Sequence, residues 1–151
     1  MNNNFFPKLI FILFLLVICS SFAFAGDKYD LIVVNSNDWE DVYNSFLYGA
    51  ISQTEVLLIS DQTQSSSFFN SISRSTQSVL LVESDSRLIP TAFKVLSTLD
   101  YDVEVLSQEN TGLFFYSLLE SPSIILVDKD FPLNGLSVAP YAVASDSWVF
   151  F

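Results

Sequence analysis

Two stretches of the sequence share one pattern. Residues 32–59 and residues 124–151 align without a gap, and their four identities are Ile32/Ile124, Asp38/Asp130, Ser45/Ser137 and Ala50/Ala142. In both copies an apolar run, an acidic turn, an aromatic residue, an apolar helical stripe and a second apolar run follow in the same order. A repeat of this length is a supersecondary unit that buries its apolar face against a neighbouring copy. The chain is therefore predicted to contain one full repeat and the start of a second.

Short apolar runs alternate with segments of helical periodicity. Six runs lack the alternation of half-exposed strands and predict strands buried on both faces, at residues 31–35, 56–60, 79–83, 103–106, 124–127 and 148–151. Helices are predicted over residues 39–51, 65–73, 90–99, 111–119 and 131–143. Such alternation builds parallel sheets through right-handed crossovers. The predicted fold class is α/β, a three-layer sandwich with a mainly parallel sheet of five to six strands and Rossmann-like or flavodoxin-like alternation.

The amino terminus predicts export. A polar stretch with one positive charge, Lys8, precedes an unbroken apolar run over residues 9–19, and Ala23-Phe24-Ala25 has the form of a cleavage site. We predict a signal peptide over residues 1–25, transiently in the membrane, and a product that is secreted or held at the cell surface. A retained membrane anchor is the alternative, because the run extended through residue 22 is nearly long enough to span a bilayer.

Cleavage after residue 25 would leave a chain without cysteine or histidine. Thiol nucleophiles, imidazole bases and the common transition-metal sites are then excluded, and neither a glycine-rich phosphate loop nor a nucleophile elbow is present. Carboxylate pairs such as Asp41 with Asp61 or Asp85 leave glycoside hydrolysis as an alternative, but we predict that the protein is not an enzyme. Without Lys8, five basic residues face seventeen acidic ones, which argues against nucleic acid as a partner.

Both copies carry a similar motif at the start of the helix. In the first copy it runs from Asn37-Asp38-Trp39 to Gly49-Ala50 and continues into the strand Val56-Leu57-Leu58-Ile59; in the second copy it is Asp130-Phe131-Pro132 followed by residues 135–142. These stretches resemble the first half of the cell wall-binding repeat 2 family. The resemblance implies that residues 26–122 form one α/β repeat and that residues 123–151 begin a second, truncated repeat packing on the same sheet.

Proteins of that family hold exported proteins to the cell surface without covalent bonds, through several packed copies of the repeat. The resemblance therefore implies an exported cell-envelope protein with a non-catalytic module that binds the cell wall or a surface layer, with further repeats in cis or trans as partners. The family's Val-x-Gly-Gly after the middle strand is replaced by Leu81-Val82-Glu83-Ser84. Two alternatives remain, a secreted small-molecule or cation-binding α/β domain and the amino-terminal part of a larger surface protein.

Two sets of residues are candidate sites. The repeat-motif and interface residues are Trp39, Asp41, Ser45, Gly49, Ala50, Phe131, Pro132, Ser137, Pro140 and Ala142. The small residues of this set allow close approach of another repeat, although packing inside the chain is the alternative interpretation. The second set comprises the carboxylates Asp38, Asp41, Asp128 and Asp130, placed after strands where open α/β sheets bind ligands. They could bind Ca²⁺ or Mg²⁺ through oxygen, or cap helices and remain solvated.

Overall fold

A computed structural model describes residues 28–60, 65–85, 87–107, 110–128, 130 and 132–151. The predicted signal peptide, residues 1–25, lies outside these residues. The strands are β1 (Leu31–Asn35), β2 (Glu55–Leu58), β3 (Ser78–Glu83), β4 (Asp102–Leu106), β5 (Ser123–Leu126) and β6 (Ser147–Phe150). The helices are α1 (Trp39–Ser52), α2 (Ser65–Ser71), α3 (Ala92–Thr98), α4 (Thr111–Leu118) and α5 (Pro132–Ala144). No helix in the described part of the chain combines the length and the hydropathy needed to cross a membrane.

The predicted α/β class with alternating strands and helices is confirmed. Four parallel strands form the first sheet in the order β2-β1-β3-β4. On one face, α1 and α4 pack over a cluster that includes Ile32, Val34, Leu47, Tyr48, Leu80, Val82 and Phe115. On the other face, α2 and α3 pack over a cluster that includes Leu31, Val33, Phe69, Leu81, Ala92 and Leu96. This explains the apolar runs of β1 and β3, which are buried on both faces. The prediction of burial on both faces is wrong for β2, β4 and β5, whose side chains are mostly half-buried or exposed.

Helix α1 begins at the predicted residue, Trp39, and ends at Ser52, one residue later than predicted. Asp38 is the N-cap, and its side chain accepts a hydrogen bond from the Glu40 backbone N–H at 2.9 Å. The C-cap is Gln53, whose φ of 63° is left-handed. One side of the helix lies close to β2, because a Cβ on Gly49 would lie 2.8 Å from the Thr54 carbonyl oxygen and in collision with Val56.

Strands β5 and β6 form a second sheet. They pair with each other in parallel, and neither pairs with a strand of the first sheet within the described residues. The prediction of one sheet with five to six strands is therefore wrong in sheet size, and residues 123–151 do not extend the sheet that contains β1.

Charge and apolar burial account for the second sheet. The exposed side chains of Asp102 and Glu104 lie on β4, the outer strand of the first sheet, where charge disfavours addition of a further strand. Residues of β6 instead pack in the apolar cluster that contains residues of α1 and α4. Trp148 is fully buried there, with its ring centroid 6.3 Å from that of Phe115. Burial of one large apolar side chain contributes about 1.5–3 kcal/mol.

The two strand–helix–strand units share one strand register. Leu31 pairs with Glu55 in the first unit, and Ser123 pairs with Ser147 in the second, a separation of 24 residues in both. Both members of this pair are displaced by 92 residues between the units, which is the offset of the sequence repeat. The sequence repeat therefore corresponds to a repeated backbone unit, although the two copies lie in different sheets.

Polar contacts hold the residues that precede β1 against β4 and the start of β3. The Asp30 carboxylate accepts hydrogen bonds from the backbone N–H groups of Gln77 and Ser78 at 2.8 and 2.9 Å. These bonds, with the Ser78 backbone first among them, lower the pKa of Asp30. Glu104 accepts a hydrogen bond from the Tyr29 hydroxyl at 2.8 Å and pairs with Lys28 at 3.1 Å. These two contacts lower the pKa of Glu104, with the tyrosine as the larger cause.

We expect Gly49→Ala to lower the free energy of unfolding by about 1–3 kcal/mol, because the added methyl group overpacks the contact between α1 and β2. The gain of about 1 kcal/mol in helix propensity opposes this loss without cancelling it. Urea unfolding measures the change. Ala50→Gly, at an exposed neighbouring position, is the control for propensity alone, and Val56→Ala in the Gly49→Ala background should recover stability. A Gly49→Ala protein more stable than wild type would refute this packing.

We expect Asp30→Asn to lower the free energy of unfolding by about 1 kcal/mol at neutral pH, a figure reduced for solvent exposure. Because the folded-state pKa of Asp30 lies below its ordinary value of 3.8, the stabilisation is complete above pH 3.8 and is lost as the pH falls through the folded-state value. The wild-type and Asp30→Asn stabilities should therefore converge below pH 3.8 in urea titrations. Glu120→Gln, an exposed change that also removes one negative charge, is the control. A constant difference across the acid range would contradict the assignment.

Candidate functional site

The carboxyl ends of β1 and β3 form the switch point of the first sheet. From β1 the chain passes through α1 to β2 on one side, and β3 lies on the other side of β1. The helices that follow these strands also lie on opposite faces of the sheet, since α1 packs on one face and α3 on the other. Crevices at such points are where open α/β sheets bind ligands.

Asn35 ties the segment after β3 to the end of β1. Its side-chain NH₂ group donates to Glu83 Oε1 at 2.7 Å and to the Ile89 carbonyl at 2.8 Å. Its side-chain oxygen accepts from the backbone N–H groups of Leu88 and Ile89 at 3.0 and 2.9 Å. The side chain is fully buried, so these four bonds replace all of its contact with water. Asn35 thereby positions Leu88, which lines the neighbouring groove.

Ser36 is the next residue, and its hydroxyl group takes part in three hydrogen-bond contacts. It donates to Asp41 Oδ2 at 2.7 Å, accepts from the Asp38 backbone N–H at 3.0 Å, and lies 2.7 Å from the Ser84 hydroxyl oxygen. Because its single proton is directed to Asp41, Ser84 is the donor in the contact between the two serines. Ser36 therefore joins the start of α1 to the end of β3.

A groove of about 730 Å³ opens beside this polar cluster, between α1 and α5. Helix α1 contributes the wall residues Trp39, Val42, Tyr43, Phe46, Leu47 and Ala50, and helix α5 contributes Leu133, Leu136, Ala139 and Val143. Residues 36–37 after β1, residues 58–60 at the end of β2, and Leu88 close one end. None of these lining residues carries a carboxylate, an ammonium or a guanidinium group.

Exposed apolar side chains gather in this groove. Among the described residues, five of the twelve large apolar side chains with high exposure line it: Trp39, Phe46, Leu58, Leu133 and Leu136. Scattered exposed apolar residues are ordinary on a protein surface, whereas a contiguous concave group marks a contact site.

The two repeat units meet beside the groove. The Tyr43 hydroxyl of α1 donates to the Gly135 carbonyl of α5 at 3.0 Å. The Phe151 ring packs edge to face against Trp39 and Tyr43, with centroids 4.8 and 4.9 Å apart. A Cβ on Gly135 would lie 2.7 Å from Cζ of Phe151, so any larger residue here would require the Phe151 ring to shift.

The predicted interface residues divide into two groups. Ser45, Gly49 and Ala142 are buried inside the chain, which agrees with the alternative of internal packing and makes them inaccessible to an external partner. The Asp41 side chain is also buried and bonded to Ser36. The exposed residues are Trp39, Ala50, Ser137 and Pro140. Phe131 and the side chain of Pro132 lie outside the described part of the structure.

The four predicted cation ligands are not brought together. Asp38 caps α1, which follows β1, whereas Asp128 follows β5 in the other sheet and its side chain accepts from the Asp130 backbone N–H at 3.0 Å. No three acidic side chains in the described ranges converge to hold a metal ion. Asp38 and Asp41 are separated from Asp128 and Asp130 because β1 and β5 belong to different sheets, and the structure gives the predicted Ca²⁺ or Mg²⁺ site no support.

Sequence reasoning missed the groove and the residues that shape it. Asn35 was recognised only as the end of a strand, and Gly135 only as part of a motif. A polar residue closing an otherwise apolar strand was a usable signal for Asn35, because buried amides require partners. Leu133 and Leu136 gave no comparable signal, since their exposure depends on how α5 lies against α1.

Comparison of this chain with protein families, with curated proteins and with solved structures finds no match. The fold and the geometry of the groove therefore rest on the structure alone, and the resemblance to cell wall-binding repeats stays a prediction.

We expect Asn35→Ala to lower the free energy of unfolding by about 2–4 kcal/mol, because it leaves four buried polar groups without their partner. Asn70→Ala makes the same change at an exposed position of α2 and should alter stability by about 0.5 kcal/mol or less. Chemical denaturation of both variants measures the difference. Equal stabilities of the two variants would show that Asn35 does not hold the segment after β3.

Proposed function

We propose that this protein is a non-catalytic module of an exported cell-envelope protein, which binds the cell wall or a surface layer and packs against further copies of its own repeat. The observation that carries the proposal is that the second unit repeats the backbone of the first but has no neighbouring strand and helix, among the described residues, in the places that β3 and α4 occupy beside the first. The export-type amino terminus and the resemblance of both copies to cell wall-binding repeats support the envelope as the location.

The difference in cover is clearest at two tyrosines. The carbonyls of Tyr48 and Tyr141 each accept a hydrogen bond from the serine hydroxyl four residues later, at 2.8 and 2.7 Å. In both helices the residue after that serine has a positive φ, 63° at Gln53 and 46° at Asp146. The two helix ends therefore have the same local geometry, displaced by one residue from the offset of the strands. Tyr48 is 3% exposed and stacks on a phenylalanine of α4 at 4.9 Å, whereas Tyr141 is 67% exposed.

The strands differ in the same way. Val34 is fully buried between β2 and β3, whereas its counterpart Leu126 is 81% exposed. Among the described strands β5 pairs with β6 alone, so the position that β3 occupies beside β1 has no counterpart in the second unit. We use the name outer face of the second unit for its exposed apolar side chains Ile124, Leu126 and Tyr141.

The outer face is suited to a strand-and-helix partner. Residues 123–126 of β5 carry no charge, whereas the outer strands of the first sheet carry Glu55 on β2 and Glu104 on β4. Charged side chains on an edge strand discourage strand addition, and an uncharged apolar edge favours it. A further repeat would supply the strand beside β5 and an aromatic side chain over Tyr141, as β3 and α4 do in the first unit.

Charge limits how the module contacts the envelope. The net charge of −11 disfavours direct ion pairing with anionic wall polymers. Apolar packing between repeats avoids this repulsion, and a contact bridged by divalent cations would also be compatible with it. The second candidate function, a secreted small-molecule binder, is favoured by the groove between α1 and α5.

We expect the protein to sediment with envelopes isolated from its source organism and to be released by a chaotrope. Leu126→Glu places a carboxylate on the outer face and should reduce the bound fraction about tenfold, because burial of an unpaired charge opposes docking. Leu113→Glu is the matched control, since Leu113 is an exposed leucine of α4 outside this face. Quantitative immunoblotting of pellet and wash measures both. Retention of wild-type protein in the wash, or equal binding by the two variants, would overturn the proposal.

A further inference from the structure

We propose that the groove between α1 and α5 binds an uncharged, largely apolar small molecule. The proposal does not depend on the envelope function, because the groove and the outer face of the second unit share no residue.

Size and position support a small ligand. The volume of about 730 Å³ lies within the range of roughly 300–1,000 Å³ that ligand pockets occupy. The groove lies at the carboxyl ends of β1 and β2, where open α/β sheets bind their ligands. Helices of both repeat units form its walls, and the segments after β1, β2 and β3 close one end. It is therefore a site that exists only when the two units are packed together.

The lining specifies the chemistry of the ligand. Aromatic and aliphatic side chains form both walls, and the polar residues Ser36, Asn37 and Ser60 lie together at the closed end. An elongated or flat apolar body would fill the walls, with a hydroxyl or amide group directed to that end. Transfer of such an apolar body out of water is the main source of affinity in a site of this kind.

Electrostatics exclude an anionic head group. Ser36 at the closed end is hydrogen-bonded to the Asp41 carboxylate and to the Asp38 backbone N–H, so two acidic residues flank this end. A ligand carboxylate here would face like charges in a low-dielectric site. A cationic head group would lose its hydration in a groove whose lining carries no charged group, and it would find no direct ion-pair partner there. The ligand class is therefore neutral.

The fluorescent probe N-phenyl-1-naphthylamine, which is uncharged at neutral pH, tests the groove in the full chain. We expect saturable binding of one probe per chain, accompanied by a change in Trp39 emission, since Trp39 lines the groove and the other tryptophan, Trp148, is fully buried. 1-Dodecanol should displace the probe, and dodecanoate and dodecylammonium of the same chain length should displace it at least about tenfold less effectively. Equal or better displacement by either charged compound would overturn the ligand class.

Variants test the location. Leu136→Glu places a carboxylate in the groove and should weaken probe binding about tenfold or more, whereas Leu113→Glu, at a similarly exposed leucine outside the groove, should leave it within about twofold. Circular dichroism of both variants checks that they are folded, and Ala50→Trp provides a second, uncharged block of the groove. Binding that neither Leu136→Glu nor Ala50→Trp weakens would overturn the proposal.

Two other occupants would also give distinct results. Sedimentation that shows a dimer dissociated by Leu136→Glu, with probe binding only to the monomer, would assign the groove to a second copy of the chain. Probe binding to residues 26–151 but not to the full chain would assign it to the amino-terminal apolar stretch. Either result would overturn the small-molecule proposal.

Discussion

Helix α1 packs on two sides at once, and the arrangement of both repeat units depends on it. One side approaches β2 so closely that Gly49 has no room for a side chain. The other side meets α4 through Tyr48 and meets α5 through the hydrogen bond from Tyr43 to Gly135. A helix that faced solvent on one side would leave the second unit without a surface to pack on. The groove follows from the same arrangement, because it lies where α1 and α5 diverge.

Polar residues complete this arrangement where apolar packing cannot. The end of β1 is an apolar run closed by Asn35, whose four hydrogen bonds hold the segment after β3 against β1. Asp30 does the same at the start of the strand through the backbone of residues 77–78. Strand β1 is therefore fastened at both ends to β3. Since α1 leaves directly from this strand, the position of the groove is set by the same bonds.

Local structure could be predicted from the sequence, and the assignment of strands to sheets could not. The apolar runs identified all six described strands and the helical stripes all five described helices within two residues, because the period of the apolar residues is a local pattern. That pattern is the same for Ile124, in the second sheet, as for Ile32, in the first. Whether β5 joins β4 or forms another sheet depends on the packing of β6 against α4 and on the charge of β4, which no local pattern contains. Small residues raised the same difficulty, since Gly49 and Ala142 proved to be interior while Ala50 is exposed.

The groove was beyond prediction for a related reason, since it is built from segments that are distant in the sequence and its two walls come from different repeat units. The repeat itself supplies the remaining argument. Two units with one strand register and similar helix ends differ in burial, because Tyr48 is covered by Phe115 of α4 whereas Tyr141 is exposed. Exposure of a large apolar side chain has no folding benefit inside this chain. In the two proposals above, the apolar character of β5 and α5 serves contacts outside the chain, through the outer face in one case and through the groove in the other.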